Sequence, residues 1–231
     1  MSYAIIGDVH SDSVKLKKAL NYANEHNLKV IMLGDIFDSR CEFSDSIGVY
    51  NLLKDSDAIV LQSNHQDKLI RHLKGNNVVL NNGIDTTINE FQSAGIANQE
   101  LLSWLTSFSY GVVFRDKNNV EYRCAHAYFS SKVDVPEYEG VWHVTHEMIN
   151  RKLRNLMIYG PTNRGESNSD NKRVYWWENP RHHDYVLVSG HYHTVYIDSN
   201  SVVIDGGCGG PEEDNFLCLY DVDNKLLKKF Y

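Results

Sequence analysis

The chain has 231 residues, of which 42% are hydrophobic and 23% charged, with 4 prolines and a formal net charge of −7. This is an ordinary globular composition with enough apolar surface for one substantial core, so one domain over residues 1–231 is expected. No stretch reaches the roughly 18 consecutive apolar residues of a membrane span, and the acidic balance argues against a surface built to grip nucleic acid throughout.

The first residues, Met1-Ser2-Tyr3-Ala4-Ile5-Ile6, run straight into a strand with no basic leader, which predicts a cytoplasmic protein. Short apolar runs predict further strands at Val30–Leu33, Ala58–Leu61, Val120–Cys124, Tyr185–Val188, Val202–Ile204 and Phe216–Tyr220. Helical patterns fall at about 12–26, 45–54, 66–74, 98–107 and 144–155. Ser11 or Asp12 is the expected cap of the first, and Val14, Ala19, Leu20 and Ala23 its inward stripe. The order is strand–helix–strand–helix–strand in the first third and mostly strands in the last, which two packed sheets with outer helices would satisfy. Pro161–Asn179 reads as a polar loop or flap whose end, Tyr175-Trp176-Trp177, packs down on the body. The tail with Lys225, Lys228 and Lys229 reads as an edge strand guarded by charge. Cys41, Cys124, Cys208 and Cys218 show neither a CxxC pair nor zinc-ribbon spacing and are expected as reduced thiols.

Five polar motifs follow apolar runs. They are Asp8-Val9-His10, Gly34-Asp35-Ile36-Phe37-Asp38, Asn64-His65, His126 and His191-Tyr192-His193. Loops at the carboxyl ends of neighbouring strands converge on one crevice, so these side chains are expected to meet. Asp, His and Asn without thiolate form a hard-to-borderline donor set that suits manganese, iron, zinc or cobalt. Two such ions about 3.5–4 Å apart need one bridging carboxylate, and a water acidified between them is a ready nucleophile. Each motif alone is weak; their order, each behind an apolar run, is what points to a metal centre.

That order resembles the calcineurin-like metallophosphoesterases over nearly the whole chain, and most closely their phosphoprotein-phosphatase branch, with its small bacterial and phage enzymes. Ile204-Asp205-Gly206-Gly207-Cys208-Gly209-Gly210 is similar to a segment of bacterial diadenosine tetraphosphatases and of polynucleotide kinase-phosphatase phosphatase domains. Tyr159-Gly160, the Gly165-Glu166 loop and Arg173…Trp176 are similar to the latter as well. The resemblance implies an α/β (α+β) four-layer sandwich, two packed mixed sheets flanked by helices, in a bacterial or phage-infected cytosol. It implies two divalent cations, manganese first, with iron, zinc, cobalt or nickel as others. Asp8, His10, Asp35 and His193 would hold the first; Asp35 would bridge to a second held by Asn64, His126 and His191. His65 would be the general acid, oriented by Asp38. Arg40 and Asn64 would bind the phosphate, and Asp205 would line the site.

The chain departs from that branch at His193, a diesterase-style second histidine that the branch often lacks, and in two motifs. Asp-Arg-Gly becomes Asp38-Ser39-Arg40-Cys41, and Gly-Asn-His-Glu becomes Ser63-Asn64-His65-Gln66. The expected function is a phosphatase acting on phosphoproteins, nucleotides or terminal phosphates. A phosphodiesterase of cyclic nucleotides, dinucleoside polyphosphates or nucleic-acid ends remains an alternative, as does a non-catalytic scaffold of the same fold. His26 and His72 read as solvated; His143, His146, His182 and His183 carry no assigned role, and Trp142, Trp176 and Trp177 read as packing. No Gly-x-x-x-x-Gly-Lys-Ser/Thr loop is present, so a kinase half is not expected.

Overall fold

The computed structural model describes residues 2–39, 41, 43–164, 171–178 and 184–231. In chain order the elements are β1 (Tyr3–Ile6), α1 (Ser13–Glu25), β2 (Lys29–Met32), α2 (Ser46–Leu53), β3 (Ile59–Val60), α3 (Asn64–Leu73), α4 (Ile84–Ser93) and α5 (Asn98–Thr106). They continue with β4 (Gly111–Arg115), β5 (Glu121–Ala125), β6 (Val141–Val144), α6 (Arg151–Tyr159), β7 (Thr162–Arg164) and β8 (Asn171–Arg173). The chain finishes with β9 (Tyr185–Ser189), β10 (Val195–Ile197), β11 (Ser201–Ile204), β12 (Leu217–Asp221) and β13 (Leu226–Phe230).

A five-stranded sheet has the order β13-β12-β1-β2-β3, and a six-stranded sheet the order β10-β11-β9-β5-β4-β6. Strand alternation sorts the core into layers. Tyr3 and Ile5 of β1 face Val112, Phe114, Tyr122, Val186 and Ile204 of the other sheet, forming the seam between the sheets. Ala4 and Ile6 turn the other way, onto Leu16, Ala19 and Ala23 of α1 and residues of α2, α4 and α5. On the far side, Val113, Ala125, Leu187 and Val203 meet Met157 and Ile158 of α6 with Trp176 and Trp177. The result is the expected four-layer sandwich of two mixed sheets flanked by helices. Strands buried on both faces explain why the sequence runs there are continuous rather than alternating.

Local chemistry sets the helix limits. Asp12 caps α1 by accepting from the Lys15 amide at 2.9 Å. Val14 is 65% exposed, and Leu16, spaced three and seven residues from Ala19 and Ala23, takes its place in the stripe. The pattern at 144–155 resolves differently. Val141–Val144 pairs with β4, and Asn150 starts α6 by accepting from the amides of Lys152 and Leu153. Sequence reasoning also missed α4, whose N-cap is Gly83 in left-handed conformation with no capping side chain. Trp176 and Trp177 are buried as expected, and β13 forms the edge beside β12. No helix among the described residues is long and apolar enough to cross a membrane.

Candidate active site

β1, β2 and β3 are parallel, as are β5 and β9, so the turns after Ile6, Met32, Val60, Ala125 and Ser189 leave the sheets on a common edge. The turns interlock. The amides of Val9 and His10 both donate to the carbonyl of Asp35, at 3.0 and 2.8 Å, and the Gly190 amide donates to that of His126 at 2.9 Å. A Cβ at Gly190 would collide with the Asp8 carboxylate, whose Oδ2 accepts from the His191 amide at 3.0 Å. His10, Asp35, Asp38, His191 and His193 all have positive φ, between 43° and 70°. Non-glycine residues adopt that backbone at a cost, which the surrounding hydrogen bonds offset.

The side chains fall into two overlapping groups. His10, Asp35 and His65 bring ligand atoms within 4.8 Å of one another, and so do Asp35, His126 and His191. Asp35 Oδ2 lies 3.7 Å from His10 Nε2, 3.4 Å from His126 Nε2 and 3.9 Å from His65 Nε2. Asn64 Oδ1 completes the second group, 2.8 Å from His126 Nε2 and 3.1 Å from His191 Nδ1. Asp8, expected as a ligand of the first ion, belongs to neither group and is buried beside Asp35 and Asp205.

The donor chemistry fits divalent cations. His10 Nδ1 faces the carbonyls of Phe37 and Asp38 at 3.1 Å, and His126 Nδ1 faces that of Leu33 at 3.0 Å. Each Nδ1 must donate there, so a neutral ring keeps its lone pair on Nε2, directed into the groups. Burial holds His10 below the ordinary imidazole range, and burial with the neighbouring His126 imidazole holds His191 well below it. Burial alone would raise Asp35, but the imidazoles of His126, His65 and His10 outweigh it and keep the carboxyl well below its usual range. Asp8 is raised well above that range by burial and by Asp205 and Asp35, and its buried Oδ1 has no hydrogen-bond partner. Converging lone pairs, crowded carboxylates and an orphaned carboxylate oxygen all call for positive charge.

His65 lies in the first turn of α3, with its Nδ1 2.8 Å from Asp38 Oδ2. Sequence reasoning missed the residue behind this pair. Thr87, on α4 and fully buried, donates to Asp38 Oδ1 at 2.7 Å and accepts from the Asp38 amide at 3.2 Å. A hydroxyl on an unrecognised helix left no motif to find. Thr87→Val is expected to lower stability by about 1 kcal/mol and to cut turnover of alkyl phosphates more than that of aryl phosphates. Thr87→Ser should restore both, as thermal melts and kinetics on the two substrates would read.

Other expected residues land differently. The His193 ring is exposed and belongs to neither donor group; its amide donates to Asp205 Oδ2 at 2.6 Å. Asp205 is buried against Asp8, and Gly209 tucks under His10 while its carbonyl accepts from Ser39 Oγ at 3.1 Å. Arg40, expected at the phosphate, lies outside the described residues, as do Gly165, Glu166, His182 and His183. Arg173 is near instead. Its guanidinium lies 5.5 Å from the Tyr192 ring, and its charge bears on His191.

A four-layer sandwich that gathers Asp, Asn and His donors at one strand edge is the architecture of metal-dependent hydrolases. The chain belongs to the calcineurin-like phosphoesterases, whose family model matches residues 1–222. It is a hydrolase acting on phosphoester bonds. A bis(5'-nucleosyl)-tetraphosphatase PrpE (asymmetrical) from Oceanobacillus iheyensis is 26% identical over 227 residues, covering 90% of this chain and 84% of the relative. One from Anoxybacillus flavithermus is 26% identical over 224 residues, covering 90% and 86%. The solved structure of a putative diadenosine tetraphosphatase shares the fold with a TM-score of 0.61 at 16% identity, covering 99% of this chain and 92% of that one.

Proposed function

We propose that this enzyme is a dinuclear-metal hydrolase of nucleotide phosphates, with dinucleoside tetraphosphates as its leading substrate class. The observation that carries the chemistry is Asp35 Oδ2, shared by both donor groups beside the His65–Asp38 pair. The relatives named as tetraphosphatases support the substrate class. Asp8, His10 and Asp35 would hold one cation, and Asp35, Asn64, His126 and His191 the other. When bound, the two ions supply Lewis-acid polarisation of the phosphoryl oxygens and an acidified water. His65 holds its Nδ1 proton toward Asp38, which leaves Nε2 as the position from which a proton reaches the departing oxygen. Arg173 draws the anionic phosphate chain toward His191, a role that Arg40 would share.

A second reading, a phosphomonoesterase acting on alkyl phosphates, is favoured by the His65–Asp38–Thr87 chain. A buttressed general acid matters most for a poor leaving oxygen, whereas a polyphosphate leaving group departs with less help. The wider reading takes residues 1–231 as one domain, since β12 joins β1 in the first sheet, and places it in the cytoplasm. Burial raises the thiols of Cys124 and Cys208, and pushes that of Cys218 up to about 12.

The deciding experiment is metal analysis followed by a substrate panel. Chelated protein should be inactive and should recover with manganese. Diadenosine tetraphosphate should yield a nucleoside triphosphate and a monophosphate faster than phosphoserine peptides or bis-p-nitrophenyl phosphate are cleaved. Activity that survives exhaustive chelation would overturn the metal reading, and a preference for phosphopeptides would turn the substrate reading to monoesters. Arg173→Ala should raise the KM for phosphate substrates and the inhibition constant of inorganic phosphate by roughly tenfold. No change in either would remove Arg173 from the site.

A further inference from the structure

Beside the β7–β8 arm lies a cavity of about 410 Å³ whose lining includes Tyr128, Lys132, Lys152, Leu153, Tyr175 and Trp176. Small-molecule sites commonly span roughly 300–1,000 Å³ and combine apolar and aromatic walls with a few polar groups. Trp176 is fixed in this wall: its indole Nε1 donates to the Ala127 carbonyl at 3.1 Å, and its ring lies 5.9 Å from that of Tyr128. Tyr175 is 42% exposed. Leu153 and Leu156 of α6 and Leu187 of β9 add apolar wall.

The charge around the cavity is selective. In a chain of net charge −7, two lysines and no carboxylate line it among the described residues. Lys132 follows the segment that carries His126, and Lys152 sits in the first turn of α6; both are exposed. Aromatic rings framed by ammonium groups suit a flat aromatic ligand that carries negative charge, which is the chemistry of a nucleotide.

The cavity also adjoins the catalytic edge. Tyr128 is two residues beyond His126, and the Tyr175 ring lies 6.2 Å from that of Tyr192, the neighbour of His191. Arg173 bears on His191, while Trp176, three residues on, walls the cavity. Three residues of extended chain span at most about 10 Å, so one elongated substrate reaches both places.

We infer that this cavity is the subsite for one nucleoside of the substrate, with its base against Tyr128 and Trp176 and the adjoining phosphates flanked by Lys132 and Lys152. The inference rests on the nucleotide-substrate reading above and gives that reading a place for the base. It implies that recognition of the base is separate from the hydrolytic machinery, so its loss should appear in KM and leave kcat in place.

The test uses the exposed pair Lys132→Glu/Lys152→Glu, together with Tyr128→Ala. Each variant is expected to raise the KM for diadenosine tetraphosphate by roughly tenfold or more, with kcat and all p-nitrophenyl phosphate kinetics unchanged. Unchanged KM in both variants would overturn the inference. Calorimetry with AMP on the metal-loaded protein reads the cavity directly. AMP should bind the wild type and lose at least tenfold in affinity in the lysine variant, while inorganic phosphate binds both proteins equally. Absence of AMP binding to the wild type, or equal AMP affinity in the two proteins, would also overturn it. Should the enzyme hydrolyse p-nitrophenyl phosphate but no dinucleoside polyphosphate, the proposed substrate class fails while the AMP comparison still decides the subsite.

Discussion

Asp35→Asn is expected to abolish hydrolysis, with a loss of roughly 10²–10³-fold or more, and to lower bound metal from about two ions per chain. Among the described residues, Asp35 is the only carboxylate common to both donor groups. Its neighbours His10, His126 and His65 all hold their Nε2 atoms within 3.9 Å of its Oδ2. An amide of the same shape can still fill the volume and receive the His65 amide, so the fold should survive. What it loses is the negative charge that would make three imidazoles and two cations compatible in one buried place. Metal content by plasma emission and kcat on p-nitrophenyl phosphate check this, with circular dichroism as the control. Wild-type metal content together with wild-type turnover would remove Asp35 from the centre of the site.

The residues around Asp35 were legible in the sequence because strand geometry did most of the placing. A short apolar run followed by Asp, Asn or His puts the polar group at a strand's carboxyl end, and parallel pairing then gathers such ends. Asp8, His10, Asp35, Asn64, His65, His126 and His191 each sit one to four residues past the end of such a run, or open the helix after it. His193 shows the limit of that logic. Two histidines spaced i and i+2 share a face only while the chain is extended, but His191 and His193 both have positive φ, and the second ring turns out to solvent. Thr87 was invisible for another reason. Its helix begins at a left-handed glycine after Asn81-Asn82, a sequence that reads as a turn, and no capping side chain announces the start. The β7–β8 arm brings Arg173 to the site through pairing between Thr162–Arg164 and Asn171–Arg173, and polar strands this short carry no periodic signal.

His65→Asn is expected to separate the two readings of the substrate. Proton donation matters in proportion to the basicity of the departing oxygen, and general acid catalysis is typically worth about 10²–10⁴-fold. An alkyl alkoxide, as from phosphoserine or a ribose hydroxyl, must be protonated as its bond to phosphorus breaks. The p-nitrophenolate anion is stable near neutral pH, and a nucleotide leaving group from a polyphosphate is closer to it than to an alkoxide. The variant should therefore lose roughly 10²–10⁴-fold on alkyl phosphates and far less on p-nitrophenyl phosphate, with metal content unchanged. Asp38→Asn should show the same pattern more mildly, because the Asp38 carboxylate would reach the proton donor through the 2.8 Å contact that orients the imidazole. The readout is the ratio of losses on the two substrate types, measured on metal-replete protein. Diadenosine tetraphosphate is the informative third substrate. A loss near that of the aryl ester would mean the anhydride departs largely unaided, and that the His65–Asp38–Thr87 chain serves a harder ester bond as well. Equal losses on all three would mean that His65 binds phosphate or positions the attacking water, and its assignment as proton donor would fall.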